Sequence, residues 1–171
     1  MADRALNLAW THGQVILQQL NATETEAQNY ARLASSIVNA SGLRRANASV
    51  LAKNVRGQSG LWGHGISGDL PIVLLRIADQ RKRNLVRQLI QAHAYWRFKG
   101  LPVDLVIWNE DQSGYRQVLQ DDIVGLIAGS TEAHLIDRPG GIFVRRPEQM
   151  SDEDRILMQS AARVVLSDNG G

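Results

Sequence analysis

The stretch from Ser59 to Ala78 constrains the fold of this chain more than any other. It reads SGLWGHGISGDLPIVLLRIA, so a glycine-dense loop leads directly into the apolar run Pro71–Ile77. An unbroken apolar run of this length is typical of a strand that is buried on both faces of a parallel sheet. The residues before the loop repeat with helical spacing, whereas those after it alternate between strand and helix patterns. The loop is therefore predicted to join a helical arm to an α/β domain.

Helical patterns occupy the first 57 residues. Ala2–Leu20 carries an apolar stripe at 3.6-residue spacing, a T-x-x-E capping box at Thr23 opens a second helix, and a shorter helix is predicted over Arg44–Val55. We expect residues 1–57 to form a helical arm that packs with an α/β domain over residues 58–171 as one unit.

Strand and helix patterns alternate after the loop. Further strands are predicted over Val103–Trp108, Gly141–Arg146 and Val164–Leu166, and helices over Arg81–Lys99, Ser113–Ala128 and Ser151–Arg163. Such repeats require right-handed crossovers. The predicted fold class is α/β, with a small, mainly parallel sheet of three or four strands and helices on its faces. Pro71–Ile77 is expected at the centre of the sheet, and GIFVRR, which ends in two charges, at an edge.

The composition limits the classes of function. A chain of 171 residues is long enough for one domain, and a formal net charge of +2 gives no indication of a nucleic-acid partner. The lack of cysteine excludes disulfides, thiol catalysis and cysteine-ligated zinc. We expect no cofactor. We also expect the fragment to be soluble, because no apolar run approaches the roughly 20 residues that span a bilayer. The loop-like tail Asp168–Gly171 indicates a piece of a longer chain.

Three glycines of the loop, Gly63, Gly65 and Gly68, match the pattern G-x-G-x-x-G. In a dinucleotide-binding fold this pattern follows a strand and opens a helix, so that phosphate meets the helix N-terminus. Here it follows a helix and opens a strand, with Pro71 close behind it. A close-packed turn that needs positive φ values is therefore the better interpretation.

The other side chains of the loop make it a candidate ligand-contacting site: Trp62, His64, Ser67 and Asp69. The last three lie too close along the chain for a catalytic triad, which recruits separate elements. We expect Ser67 and Asp69 to bond to loop amides. Trp62 is expected to be a buried anchor, so that Trp62→Ala destabilises the fold strongly and His64→Ala hardly affects it. The alternative is an exposed Trp62 that contacts a sugar.

A second group of candidate ligand-contacting residues, Asn109 and Glu110, follows the strand VDLVIW. Open α/β sheets bind ligands at this end of a strand. With Asp111, Glu110 provides two carboxylates that suit a cation or a sugar hydroxyl. The simpler interpretation is a polar loop in which Asp111 or Ser113 caps the next helix.

Two weaker patterns are set aside. Asp152 and Asp154 form a D-x-D pair, but they are predicted in the first turn of a helix, where acidic residues favour the helix dipole. Neither His93 nor His134 has a second histidine three or four residues away, so the sequence does not indicate a metal site.

Two longer strings, LWGHGISGDLPIVLLRI and LVRQLIQAHAYWRFKGLPVDLVIWNE, resemble the middle of the bacterial cyclic β-1,2-glucan synthases. The resemblance covers most of the chain. These synthases are very large membrane proteins with a glycosyltransferase region and a C-terminal region similar to glycoside phosphorylases. The resemblance implies that the chain is an internal fragment of an enzyme that transfers glucosyl units to build β-1,2-glucan. It also implies a parent in the bacterial inner membrane, with this region on the cytoplasmic side.

The motifs of the family's catalytic regions do not occur at matching places. The Q-x-x-R-W pattern of the transferase is missing, since Trp96-Arg97 has the reverse order, and the general-acid aspartate of the phosphorylase barrel has no counterpart. The resemblance therefore implies a non-catalytic structural module that is not an enzyme on its own and whose partners are the other domains of the parent. The alternative is a carbohydrate-binding domain that contacts β-1,2-glucan through the Trp62–Asp69 loop.

Overall fold

A four-stranded parallel sheet is the centre of the computed structural model, which describes residues 24–39, 48–113 and 116–168. The strands are β1 (Ile72–Ile77), β2 (Asp104–Asn109), β3 (Ile142–Arg145) and β4 (Val164–Ser167), in the order β3-β2-β1-β4. The helices are α1 (Glu24–Asn39), α2 (Ala48–Lys53), α3 (Arg83–Phe98), α4 (Arg116–Ala128) and α5 (Asp152–Ala161). The predicted α/β fold class is confirmed.

The two inner strands are the most buried ones. β1 pairs in parallel with β2 on one side and with β4 on the other, as predicted for Pro71–Ile77. Every residue of β2 is buried, and Arg76 is the one residue of β1 that is not. β3 forms an edge, as predicted for the strand that ends in two charges.

The helices cover both faces of the sheet. α1, α3 and α4 share a hydrophobic core with the side chains of one face, which we call the α3 face. α5 and a 3-10 helix over Gln58–His64 share a second core with the opposite face, which we call the α5 face. The connections β1–α3–β2 and β2–α4–β3 therefore run over one face, and β3–α5–β4 returns over the other.

Some boundaries differ from the prediction. The helix expected from Arg81 begins at Arg83, because the side chain of Asp79 accepts from the Arg81 N–H and a 3-10 turn, Gln80–Lys82, comes first. The sequence also gave no indication of the 3-10 helix in the glycine loop. The predicted helix over Ala2–Leu20 and the capping box at Thr23 lie outside the described residues.

The second predicted helix of the arm, now α1, packs against α3. The Trp96 indole N–H donates to the Tyr30 carbonyl at 2.8 Å, and the Tyr30 hydroxyl lies 3.0 Å from Gln91 Oε1. The division into a helical arm and an α/β domain stays a prediction. None of the helices in the part of the chain that the structure describes combines the length and hydrophobicity needed to cross a membrane.

A buried ion-pair network ties α3 to the loop after α4. Glu132 is fully buried, with His93 Nδ1 2.6 Å from Oε1 and Arg97 Nη2 2.7 Å from Oε2. His93 Nε2 donates to the Val103 carbonyl at 2.8 Å, so both ring nitrogens face acceptors. Burial by itself would raise the pKa of Glu132, but the hydrogen bonds from His93 and Arg97 outweigh it and bring the pKa to about 2.

Replacing Glu132 by Gln is expected to cost about 3–5 kcal/mol of folding free energy, because His93 and Arg97 lose the carboxylate that compensates their burial. The lowered pKa means that this stabilisation is complete above about pH 4.5 and disappears as the pH falls towards 2. Urea unfolding at pH 7, 4.5 and 3 should therefore show that the free energy of unfolding falls more steeply with decreasing pH for the parent chain than for Glu132→Gln.

The matched control for this change is Glu153→Gln. Glu153 also pairs with an arginine, Arg56, at 2.6 Å, but both side chains are about half exposed. Its loss is expected to cost at most about 1 kcal/mol. Equal effects of the two substitutions at pH 7 would contradict the structural role that we assign to Glu132.

Candidate functional site

A cleft of about 430 Å³ lies at the carboxyl edge of the sheet, beneath α5. The strands supply its floor, the segments after β2 and β3 its rim, and α5 its cover. We call it the carboxyl-edge cleft, and its lining residues are Arg76, Trp108, Glu110, Gln112, Pro147, Glu148, Asp152, Arg155, Ile156 and Gln159.

The topology places this cleft where the chain changes direction. β2 continues into α4 over the α3 face, whereas its neighbour β3 continues into α5 over the α5 face. The segments that leave the carboxyl ends of these two strands therefore diverge and leave a crevice. In open α/β sheets the carboxyl ends of the strands form the edge at which ligands bind.

The strand register fixes the floor of the cleft. Arg76 of β1 is paired with Trp108 of β2, and Trp108 with Arg145 of β3. Since side chains in a paired row project to the same side, all three belong to the α5 face. The guanidinium carbon of Arg76 lies 5.9 Å from the centre of the Trp108 ring, which is 1% exposed.

Glu110 is positioned directly beyond the end of β2. Its backbone N–H donates to the Ile77 carbonyl at 2.7 Å, and its carboxylate accepts from Nε and Nη2 of Arg76 at 3.1–3.2 Å. This fork-shaped pair fixes both side chains at the mouth of the cleft.

The cover of the cleft begins with a capped helix. The Ser151 side chain accepts from the Asp154 N–H, as the sequence predicted, and Asp152, Glu153 and Asp154 occupy the first turn of α5. Arg155 pairs with Asp152 one turn earlier. The D-x-D acids therefore lie at a helix N-terminus, as expected, and Asp152 also lines the cleft.

The glycine loop is anchored by residues other than the one expected. Trp62 is 63% exposed, so its predicted role as a buried anchor is wrong. Leu61 of the 3-10 helix and Ile66 just after it point into the core of the α5 face. They are 2% and 1% exposed, respectively. The Trp62 indole N–H donates to the Ser67 carbonyl at 3.1 Å, which holds the exposed ring in place.

The remaining side chains of the loop point to different partners. His64 Nε2 is 2.9 Å from Asp154 Oδ2 of α5, and this bond lowers the pKa of Asp154. Asp69 accepts from Gln58 Nε2 at 2.8 Å, and its N–H donates to the Ser67 hydroxyl. The structure therefore does not join His64, Ser67 and Asp69 into one acid–base group.

The predicted turn geometry holds at two of the three glycines. Gly65 and Gly68 both have φ values of 80°, a backbone conformation that residues other than glycine rarely adopt. A Cβ atom at Gly68 would also lie 2.6 Å from Gln58 Cγ. Gly63 has neither constraint, since its φ is not positive and the space beside it is open.

A second hollow, of about 480 Å³, lies beside the glycine loop. Gly63, His64 and Gly65 form one of its sides, and Arg145 another. Arg145 donates from Nε and Nη2 to the His64 carbonyl at 3.2 and 2.9 Å, so β3 holds the end of the 3-10 helix.

Of the residues predicted after β2, only one belongs to the carboxyl-edge cleft. Asn109 is buried and donates to Gln120 Oε1 of α4 at 3.2 Å, away from the cleft. Asp111 accepts from the N–H and hydroxyl of Ser113, which is the polar loop of the simpler interpretation. Glu110 lines the cleft. The start of α4 adjoins residues 114–115, which are not described, so the capping of this helix is untested.

Sequence reasoning did not identify Arg76, Trp108 or Arg155 as candidates. Arg76 carries a usable signal, because a charge inside the apolar run of a central strand needs a partner or a cleft. Within the described residues, no group of three or more histidine or acidic side chains is arranged to hold a metal ion.

The fold and cleft define an α/β module with a polar crevice at the carboxyl edge of a parallel sheet. No protein-family model matches the chain. The cyclic β-(1,2)-glucan synthase NdvB of Rhizobium meliloti (strain 1021) is 34% identical to it over 164 residues, which is 95% of this chain. The chain spans about 6% of the length of that relative. The predicted resemblance to an internal segment of a cyclic β-1,2-glucan synthase is confirmed.

The loop can be tested with two neighbouring substitutions. Leu61→Ala is expected to cost about 2–5 kcal/mol, because Leu61 is buried in the core of the α5 face. Trp62→Ala is expected to cost less than about 1 kcal/mol, because the ring is mainly exposed and gives up one hydrogen bond. Thermal melts of both variants measure the difference. A larger loss for Trp62→Ala than for Leu61→Ala would contradict this placement of the loop.

Proposed function

We propose that this chain is an internal, non-catalytic module of a cyclic β-1,2-glucan synthase that holds neighbouring domains of the synthase in position. The parent would transfer glucosyl units to build β-1,2-glucan, and this module would belong to the part of it outside the bilayer, on the cytoplasmic side. The similarity of nearly the whole chain to a segment of NdvB supports the choice of parent.

One observation carries the non-catalytic role: the acid–base candidates of the sequence are engaged in bonds that hold the fold together. His64 joins the glycine loop to α5 through Asp154, and Asp69 bonds to Gln58. Glu110 is neutralised by Arg76. A general acid or base must reach the proton that it transfers, with a pKa near the working pH. Side chains that are held in structural hydrogen bonds and ion pairs are not placed to transfer a proton to or from a substrate.

A second candidate function, the binding of β-1,2-glucan by the Trp62–Asp69 loop, is favoured by the exposure of Trp62. The large, flat and amphipathic surface of an indole suits the apolar face of a sugar ring. The bond to the Ser67 carbonyl fixes the ring before any ligand arrives, which lowers the entropy cost of binding. The hollow beside His64 and Arg145 provides polar groups next to this loop.

The non-catalytic role predicts no turnover by the isolated chain. Purified protein incubated with a nucleotide sugar, or with phosphate and β-1,2-glucan, should release no nucleotide and no glucose phosphate. In the full-length synthase, Asp69→Asn should leave the glucan formed per folded molecule within about twofold, since a general acid or base contributes about 10²–10⁴-fold.

The contrasting variant in the full-length synthase is Leu61→Ala. It is expected to lower the amount of folded synthase, because it removes a core anchor of the module. Turnover by the isolated chain that Asp69→Asn or Glu110→Gln abolishes would overturn the non-catalytic proposal.

A further inference from the structure

We propose that the carboxyl-edge cleft binds a neutral, polyhydroxylated ligand, namely a glucosyl unit of a β-1,2-glucan chain. The identity of the sugar depends on the proposed function, whereas the ligand class depends on the cleft alone. This site is separate from the Trp62–Asp69 loop. It would allow the module to hold a glucan chain without acting on it.

The position and size of the cleft suit a small ligand. It lies outside the carboxyl ends of β1 and β2, at the edge where open α/β sheets bind their ligands. Its volume of about 430 Å³ falls within the range of about 300–1,000 Å³ that is usual for such sites. Strands form its floor and α5 its cover, and the segments after β2 and β3 form its rim.

The functional groups of the cleft are held in place before a ligand arrives. Arg76 uses Nε and Nη2 for Glu110, and within the described residues its Nη1 makes no hydrogen bond. Arg155 makes a single contact, from Nη2 to Asp152 Oδ1 one turn earlier. Planar donors and acceptors fixed side by side match the adjacent hydroxyl groups of a sugar, each of which donates and accepts.

The side-chain amides add groups of mixed character. Gln112 is exposed beyond β2 and makes no side-chain hydrogen bond within the residues described. Gln159 is fixed on α5 by a bond from its Nε2 to the Arg155 carbonyl at 3.3 Å. A side-chain amide offers two donors and an acceptor and carries no charge. It can therefore both donate to and accept from a ligand hydroxyl group.

The charges of the cleft disfavour ionic ligands. Two arginines face three acidic residues, Glu110, Glu148 and Asp152, so a phosphate or a carboxylate would meet an excess of like charge. Glu110 and Asp152 are each paired with an arginine, which leaves them unsuited to a metal ion. The paired charges therefore favour a ligand that exchanges many hydrogen bonds over an anion or a metal ion.

Trp108 provides an independent observation. Its ring lines the cleft, and its indole N–H is buried with no hydrogen-bond partner in the part of the chain described. A buried donor without a partner is uncommon and costs about 1–3 kcal/mol. Because Trp108 lines the cleft, the signal of this unpartnered N–H can report on a ligand that fills the cleft.

The test is a titration of the ¹⁵N-labelled 171-residue chain with the β-1,2-linked disaccharide of glucose, followed by NMR of the indole N–H signals. Trp108 reports on the cleft and Trp62 on the loop, and Trp62→Phe and Trp108→Phe assign these two signals among the four tryptophans of the chain. We expect a saturable shift of the Trp108 signal, and about tenfold weaker binding for Arg155→Ala, the effect of one lost hydrogen bond to a charged group.

The matched control is Arg146→Ala, because Arg146 lies outside the cleft lining and bonds to Gln117 on α4. It should bind the disaccharide like the parent chain. A shift confined to Trp62 would overturn the inference and support the second candidate function. No shift of either signal up to about 50 mM sugar, far above a 1 mM Kd, would overturn the inference and leave the non-catalytic module standing.

Discussion

The parallel pairing of β1 with β2 is the interaction on which the rest of this structure depends. The pairing buries both strands on both faces, and its register sets Leu74 beside Val106 and Arg76 beside Trp108. α3 is the crossover that this pairing requires. Successive side chains of these inner strands project to opposite faces of the sheet. Because both sets are largely apolar, a core forms on each face.

The part of the fold that the sequence made predictable is the part that these strands dictate. The unbroken apolarity of β1 indicated a central strand, and the two terminal charges of GIFVRR indicated an edge. The orientation of Trp62 was not predictable in the same way. In the loop, a 3-10 helix decides whether Leu61 or its neighbour Trp62 faces the core, and residue type alone favours the larger side chain.

The candidate site was predictable to a similar, partial extent. Glu110 could be placed at the carboxyl edge because it follows a strand, and chain topology then determines which edge forms a crevice. Arg155 and Gln159, which also line the cleft, belong to α5. No local sequence pattern connects this helix to β2. The same holds for Glu132, which pairs with His93 across 39 positions of the sequence. Long-range pairs of this kind leave no periodic signal.

Native-state hydrogen exchange of the 171-residue chain tests most directly whether β1 and β2 organise the module. The account predicts that the amides of these strands exchange only through global unfolding, with a free energy equal to that from urea denaturation. The amides of the exposed segment Trp62–Gly65 should exchange through smaller openings. Exchange of the β1 amides at a free energy well below the global value, while α3 stays protected, would contradict the account.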